Sequence, residues 1–529
     1  MSEARVLTRP LGGSALAELA ARADGGAFYL PRPRTVHAWR ERVEEVRRHA
    51  PLDWLTALSP AIDANGSAAE RLARVARGGG VLVTSGQQPG LFGGPVYTWS
   101  KAISALELAD ALEEATGIPA APLFWAATDD ADYAEASVTW VATRSGLREL
   151  RLPATTREGA SMAEQPLVGV RGLLDELAVA AGSVAYDTPL SAVREAYTKS
   201  ATVGEAYLRL MRRLLEPLGI PVLDASHSAV RGAAQPLLAR ALRDASRADA
   251  ALMQREAAIR SAGYEPQVSH VPGLSLVFEF VNGTKRRVPV GEAADAGRIR
   301  GVALGPNVLL RPVVERALMP TVAYMAGPGE LAYFAQAGVL AEVLEAPTPL
   351  ALPRWGGLIV EAYVDRILER YGVTIEELSD RHDVVRRLVA KRMPGGVTEA
   401  LMDMREMTHR AIDALRAALA NDRRPLVDRR VVDGAEGQLM HRVDRLERRV
   451  IAAAKRRETE IVEHVDAAHA AIYPLDKPQE RVLNFLPMLA REGPALLDRM
   501  RRAARAHAVS LVEATNAVGP DQRAAPITT

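Results

Sequence analysis

Residues 81–133, VLVTSGQQPGLFGGPVYTWSKAISALELADALEEATGIPAAPLFWAATDDADY, decide the fold. Residues 81–84 are short, apolar and β-branched, as in a strand buried on both faces. The loop after them, residues 85–95, carries Gly86, Gly90, Gly93 and Gly94. Pro95 suits the first turn of a helix, and Gly117 suits its end, so a helix is predicted from about 95 to 116. Ala102, Ala105, Leu106, Ala109 and Leu112 give it one apolar stripe. Residues 122–127 then read as a second strand. Two strands joined through a helix are expected to be parallel. The Gly86-Gln87-Gln88 segment and the tetrad Asp129-Asp130-Ala131-Asp132 should therefore meet at the C-terminal edge of the sheet, where open α/β sheets bind ligands.

Two readings of that edge stay open. The glycines let backbone approach a ligand closely, Gln87 and Gln88 offer amides that donate and accept, and a helix N-terminus favours an anion. Lys101 lies about two turns into the helix. Asp129, Asp130 and Asp132 suit either Mg²⁺ or a substrate amine. Against this, the loop matches neither GxGxxG nor GxxxxGK[ST], so it also reads as a plain turn, Lys101 as a solvated lysine, and the aspartates as helix caps.

At 529 residues the chain should hold more than one domain. Its 66 basic and 65 acidic residues leave a net charge of +1, which argues against a nucleic-acid partner. With no cysteine there is no disulfide, thiolate metal site or cysteine nucleophile. No signal-peptide pattern and no run of about twenty apolar residues is visible, so no membrane association and a cytoplasmic protein are expected.

Outside the deciding stretch, residues 134–200 and 263–310 read as insertions in a core spanning 1–385. Residues 220–224 read as a further strand of the same sheet, and His227 and His270 as structural. A second strand, glycine loop and helix passage occupies 321–331. If its strand is parallel to the first, Glu330 and Tyr333 face the same edge; Glu330 also reads as a first-turn glutamate favoured by the helix dipole. Further on, Leu401, Met404, Thr408, Ala411, Leu415 and Ala418, then Leu439, Val443, Leu446, Val450 and Ala453, recur three and four apart. They predict an antiparallel coiled-coil hairpin within 386–470, turning at 421–437. Residues 471–529 read as a helical segment and, after Val518, a disordered tail.

Several blocks together resemble one family. They are the run from Gly86 through Gly90, Gly94 and Tyr97 to Lys101, Phe124-Trp125 with its acidic end, Arg311-Pro312, residues 327–333 and Gln479-Glu480-Arg481. In this order they are similar to the bacillithiol biosynthesis cysteine-adding enzymes, the BshC family. The resemblance implies a Rossmann-like parallel-sheet α/β core with insertions, a C-terminal antiparallel α-helical coiled coil and a homodimer formed through it. The implied reaction is a ligase step joining cysteine to the amine of glucosaminyl-malate (GlcN-Mal), the last of bacillithiol synthesis. The resemblance to adenylate-forming relatives implies ATP or ADP, with Mg²⁺ accompanying the nucleotide. It implies catalytic roles for Lys101, Asp129, Asp130 and Asp132, and cofactor binding by Gly86, Gln87, Gln88, Gly90, Gly94 and Tyr97. Trp125, Arg311, Gly327, Gly329, Glu330 and Tyr333 would bind substrate. No dedicated protein metal site is implied. The family has Glu-Asp-His-Asp where this chain has Asp129-Asp130-Ala131-Asp132, and Gln-Asp where it has Glu315-Arg316. A catalytically altered nucleotide-binding or scaffolding dimer is therefore the rival reading.

Overall fold

The computed structural model describes residues 3–22, 26–144, 146–155, 157–281, 284–293, 303–393, 395–420 and 427–513. The tail expected after Val518 lies outside them. The chain divides into two units. One comprises Glu3–Val141, Glu149–Ile359 and the chain from Gln479; the other comprises Ala142–Arg148 and Val360–Pro478. The boundaries thus fall near 360 and 478 rather than at the expected 385 and 470. The C-terminal helix Pro494–Val512 belongs with the sheet because it packs along the helix Val96–Thr116, where Arg501 Nε reaches Glu107 Oε1 at 2.7 Å.

The first unit is built on a six-stranded sheet. Its order is Ala351–Pro353, Thr321–Ala326, Val81–Gln87, Ala120–Ala126, Val222–Asp224 and Ile62–Asp63. The first five strands are parallel and the last is antiparallel. The strands expected at 122–127 and 220–224 therefore share the sheet with residues 81–84, and the strand at 321–326, whose pairing the sequence leaves as a condition, lies parallel to it. Side chains alternate across the central strand. Val81 and Val83 join a core with Ala105, Leu108 and Leu112, whereas Leu82 joins the core on the other face with Leu123 and Leu331.

Two local expectations change. The central strand runs on to Gln87, paired residue by residue to Gln87↔Ala126, so Gly86 lies in the strand and not in a loop. A Cβ there would stand 2.6 Å from the Trp125 carbonyl oxygen, so glycine at 86 lets two strands lie close. Pro95 is the N-cap rather than the first helical residue, and Gly117 ends the helix at φ 73°.

The two expected insertions hold the helices Val170–Ala181 and Thr188–Thr198, and a three-stranded antiparallel sheet ordered Leu304–Pro306, Leu274–Val281, Thr284–Pro289.

In the second unit, the helices Val397–Ala420 and Arg429–Arg457 form the hairpin. Pairing of Arg405 with Asp444 and of Arg416 with Asp433 makes them antiparallel. The second helix begins at Arg429, so residues 429–437, expected in the turn, are helical. The seam also differs. Ile412, Val432 and Val443 are buried, whereas Leu415, Leu439 and Leu446 are 44–49% exposed. The inside of the first helix passes from Thr408 through Ile412 to Arg416, whose long stem fills a seam position while its charge reaches the partner helix. No described helix is long and apolar enough to cross a membrane.

Candidate active site

At the C-terminal edge of the parallel strands lies a cavity of about 910 Å³. Of the residues expected to act together, its wall contains Gly86, Gln87, Gln88, Tyr97, Lys101, Trp125, Asp129, Asp130, Arg311, Gly327, Gly329, Glu330 and Tyr333. Gly90, Gly94 and Asp132 are not on it. Gly90 and Gly94 pack on each other, a Cβ on Gly90 standing 2.8 Å from Gly94 Cα. Asp132 caps the short helix Tyr133–Ala136, accepting from the Glu135 N–H. The N-terminus of the Val96–Thr116 helix is also engaged, for the Val96 N–H donates to the Leu483 carbonyl at 3.0 Å. The helix that opens on the cavity is instead Pro328–Val343, through Gly327, Gly329 and Glu330.

Lys101 is the hub of the cavity floor. Its Nζ donates to the Gly86 carbonyl and Gln87 Oε1, both at 2.9 Å, and lies 2.6 Å from Glu330 Oε2. The solvated-lysine reading therefore fails at this position. Glu330 also accepts from the Gly327 N–H at 2.7 Å and the Tyr324 hydroxyl at 2.6 Å. Burial lowers the proton affinity of Lys101, and Glu330 opposes that. Burial alone would raise the Glu330 carboxyl, but Lys101, Arg311 and the Gly327 N–H outweigh it and hold it below the usual range. A carboxylate so held, in contact with an ammonium, is an ion pair. Arg311 joins it, donating to the Tyr324 and Tyr333 hydroxyls at 3.3 and 3.0 Å and pairing with Glu315 at 2.9 Å.

One rim is acidic. Asp130 is pushed up, first by burial and then by Asp129 and Asp132, against the pull of Lys285 and the Ala131 N–H. Glu135 as a whole is exposed, but its carboxyl faces inward and accepts from Gln88 Nε2 at 2.7 Å. Burial of that carboxyl, then Asp132 and Asp130, raise it. The glutamine segment and the acidic loop are thus joined by a direct hydrogen bond. Among the described residues, no three His, Cys, Asp or Glu side chains are grouped to hold a metal ion.

Sequence reasoning missed Glu135, Tyr324, Lys285, Arg287 and Arg354. Arg354 is 2% exposed and holds Glu480 through two hydrogen bonds of 2.8 and 2.6 Å. Its only signal was the charged pair in Gln479-Glu480-Arg481, far along the chain. The two histidines are structural as expected. His227 caps a helix by accepting from the Ala229 N–H, and His270 Nε2 lies 2.7 Å from Asp249. Glu315 and Arg316 are buried in the core, where burial and Arg42 drive Arg316 down to about 10.

The comparison with protein families follows the same division. The model of the bacillithiol biosynthesis BshC N-terminal Rossmann-like domain matches residues 19–296 and 281–355. That of the BshC C-terminal coiled-coil domain matches residues 357–510.

The chain belongs to the BshC family.

Relatives include proteins named "Putative cysteine ligase BshC" from Solibacter usitatus, Koribacter versatilis and Salinibacter ruber. The first is 33% identical over 442 residues, covering 80% of this chain and 82% of that protein. The second is 32% identical, covering 85% and 87%. The third is 28% identical, covering 80% and 81%. The BshC boundary at 355–357 agrees with the structural division near 360.

Proposed function

We propose that this chain is a cysteine ligase that joins the carboxyl group of cysteine to the glucosamine amine of GlcN-Mal, after nucleotide-dependent activation of the carboxylate. The observation that carries the reading is the joining, in one cavity of a BshC member, of an acidic rim suited to ammonium groups with a floor built on Lys101 and Glu330.

A carboxylate is a poor electrophile, and ATP would supply its activation, with Mg²⁺ accompanying the phosphates. The wall fits such a ligand. Trp125 Nε1 and Arg354 Nε are buried donors without a partner among the described residues, and both residues line the cavity. Gln87, Gln88 and Tyr97 add polar atoms, and the Pro328–Val343 N-terminus favours an anion. Lys101, held between Gly86, Gln87 and Glu330, fixes a positive charge where negative charge develops. Asp129 and Asp130 hold the acceptor ammonium. A carboxylate raised as Asp130 is can take the proton that the amine must lose before attack. Glu330, Arg311 and Tyr333 orient substrate.

The exposed apolar row Ala411, Leu415, Leu439 and Leu446 supports a homodimer through the hairpin. The expected compartment is the cytoplasm.

The test supplies purified protein with cysteine, GlcN-Mal and ATP and reads bacillithiol by mass spectrometry. Product that disappears with Gln88→Ala or Asp130→Ala is the expected result. No product from a folded wild-type protein sinks the ligase and favours the catalytically altered scaffold, which Ala131 in place of the family histidine would explain. In light scattering, Leu415→Asp with Leu446→Asp should lower the mass to that of a monomer; an unchanged mass counts against the dimer.

A further inference from the structure

The strand Thr284–Pro289 brings two cations to the cavity that no motif announces. It pairs antiparallel with Leu274–Val281 in the register Phe278↔Arg287, Glu279↔Arg286 and Phe280↔Lys285. Directly opposed residues share a face, so Lys285 and Arg287 stand with Phe278 and Phe280, while Arg286 turns away to pair with Glu279. Lys285, Arg287 and Phe278 line the cavity.

Among the described residues, neither cation has a close counter-charge. Lys285 Nζ lies 3.9 Å from Asp129 Oδ2, at the limit of an ion pair, and 5.5 Å from the Phe278 ring. Among the described residues, the Arg287 side chain makes one hydrogen bond, from Nε to the Ser275 carbonyl at 3.1 Å, and its guanidinium lies 6.0 Å over Phe278. No carboxylate among the described residues pairs with it. Burial lowers the proton affinity of Arg287, the mark of a cation partly stripped of water without an anion in exchange. Of the other cations on the cavity wall, Lys101 is engaged with Glu330, Arg311 with Glu315 and Arg354 with Glu480, while Arg481 lines it from an exposed position.

We propose that Lys285 and Arg287 form a dicarboxylate-binding wall that recognises the malate half of the acceptor. The inference rests on the acceptor reading given above. Alternate residues on a strand stand about 6.6 Å apart on one face, so each cation can take one carboxylate, Arg287 through its paired nitrogens. The charges of the cavity then sort the ligand. Asp129 and Asp130 draw the ammonium, the strand draws the two carboxylates, and the acceptor can enter in one orientation only.

Titration calorimetry on the full-length protein tests this with three probes: GlcN-Mal, glucosamine without malate, and ATP. Lys285→Met and Arg287→Met should each weaken GlcN-Mal binding by about tenfold or more, as expected for loss of a charge-assisted contact, and leave glucosamine and ATP unchanged. Lys285→Arg should restore most of the affinity. A thermal midpoint equal to that of the wild type shows that the variants are folded. Equal losses for GlcN-Mal and glucosamine, or a loss that falls on ATP, overturn the wall, the latter in favour of a phosphate site. If wild type binds GlcN-Mal and the variants bind it equally well, the wall alone fails. If wild type binds no GlcN-Mal, the acceptor reading and the wall fail together.

Discussion

The cavity floor and the helical hairpin are both crowded with charge, and they use it in opposite ways. At and behind the floor, Lys101, Arg354 and Glu480 are almost without water and Glu330 is largely buried, and each is held by two or more partners. On the hairpin, Arg405 and Arg416 reach across to Asp444, Glu447, Asp433 and Glu436 in partly open surroundings. A buried charge that loses its partner is expensive, whereas a solvated one is rehydrated. Similar ion pairs therefore fix the arrangement of one region and contribute little to the stability of the other.

The sharpest way to break the comparison is Glu330→Gln. It strands the Lys101 ammonium, so turnover should be lost and unfolding free energy should fall by about 3–5 kcal/mol in a denaturant titration. Adding Lys101→Met should return much of the stability and none of the activity. A stability loss that is simply additive would show that the two groups are not coupled.

Gly86→Ala comes next. Its methyl would press on the Trp125 carbonyl and shift the carbonyl that Lys101 uses, at a cost of about 1–3 kcal/mol with reduced turnover. A fully active and equally stable variant would mean that the strands can part there without consequence.

Asp130→Asn tests the acidic rim through pH. Because the folded carboxyl lies above its unfolded value of about 3.9, ionising it costs the native state as pH rises from the unfolded value through the folded one. The variant should gain thermal midpoint over wild type at pH 7, lose that gain below both values, and be inactive throughout. A gain of the same size at every pH would point to a cause other than ionisation.

The smallest effect belongs to the hairpin. Arg405→Ala should leave the thermal midpoint within measurement scatter, and a clear loss would erase the contrast between the two regions.

The sheet was legible because Val81–Gln87 and Ala120–Ala126 announce themselves locally, by composition and by the helix between them. Gln88 and Glu330 were legible because each lies just past a strand end, and Lys101 because it lies in the second turn of the helix that follows the glycine loop. Arg354, Glu480, Tyr324 and Lys285 were not. Arg354 and Glu480 meet only when segments 126 residues apart pack, and Tyr324 and Lys285 reach the cavity only through the sheet pairings that orient their strands. The hairpin shows a different limit. Its apolar residues form two overlapping rows, and three-four spacing cannot choose between them. The choice falls on the row of Ile412 and Val443, in which Arg416 contributes its stem and sends its charge across the helix pair.

The Arg354 and Glu480 pair carries a consequence for biogenesis. The guanidinium emerges from the ribosome well over a hundred residues before its counter-ion, with the whole Val360–Pro478 unit made in between. During that interval Arg354, on the wall of the pocket, lacks its counter-ion, so this part of the wall can reach its final state only late in translation. Such long-range closure is slow and leaves apolar surface open to misassembly or chaperone capture. A stalled chain ending before Glu480 should therefore be degraded, rather than persist as a half-built ligand trap.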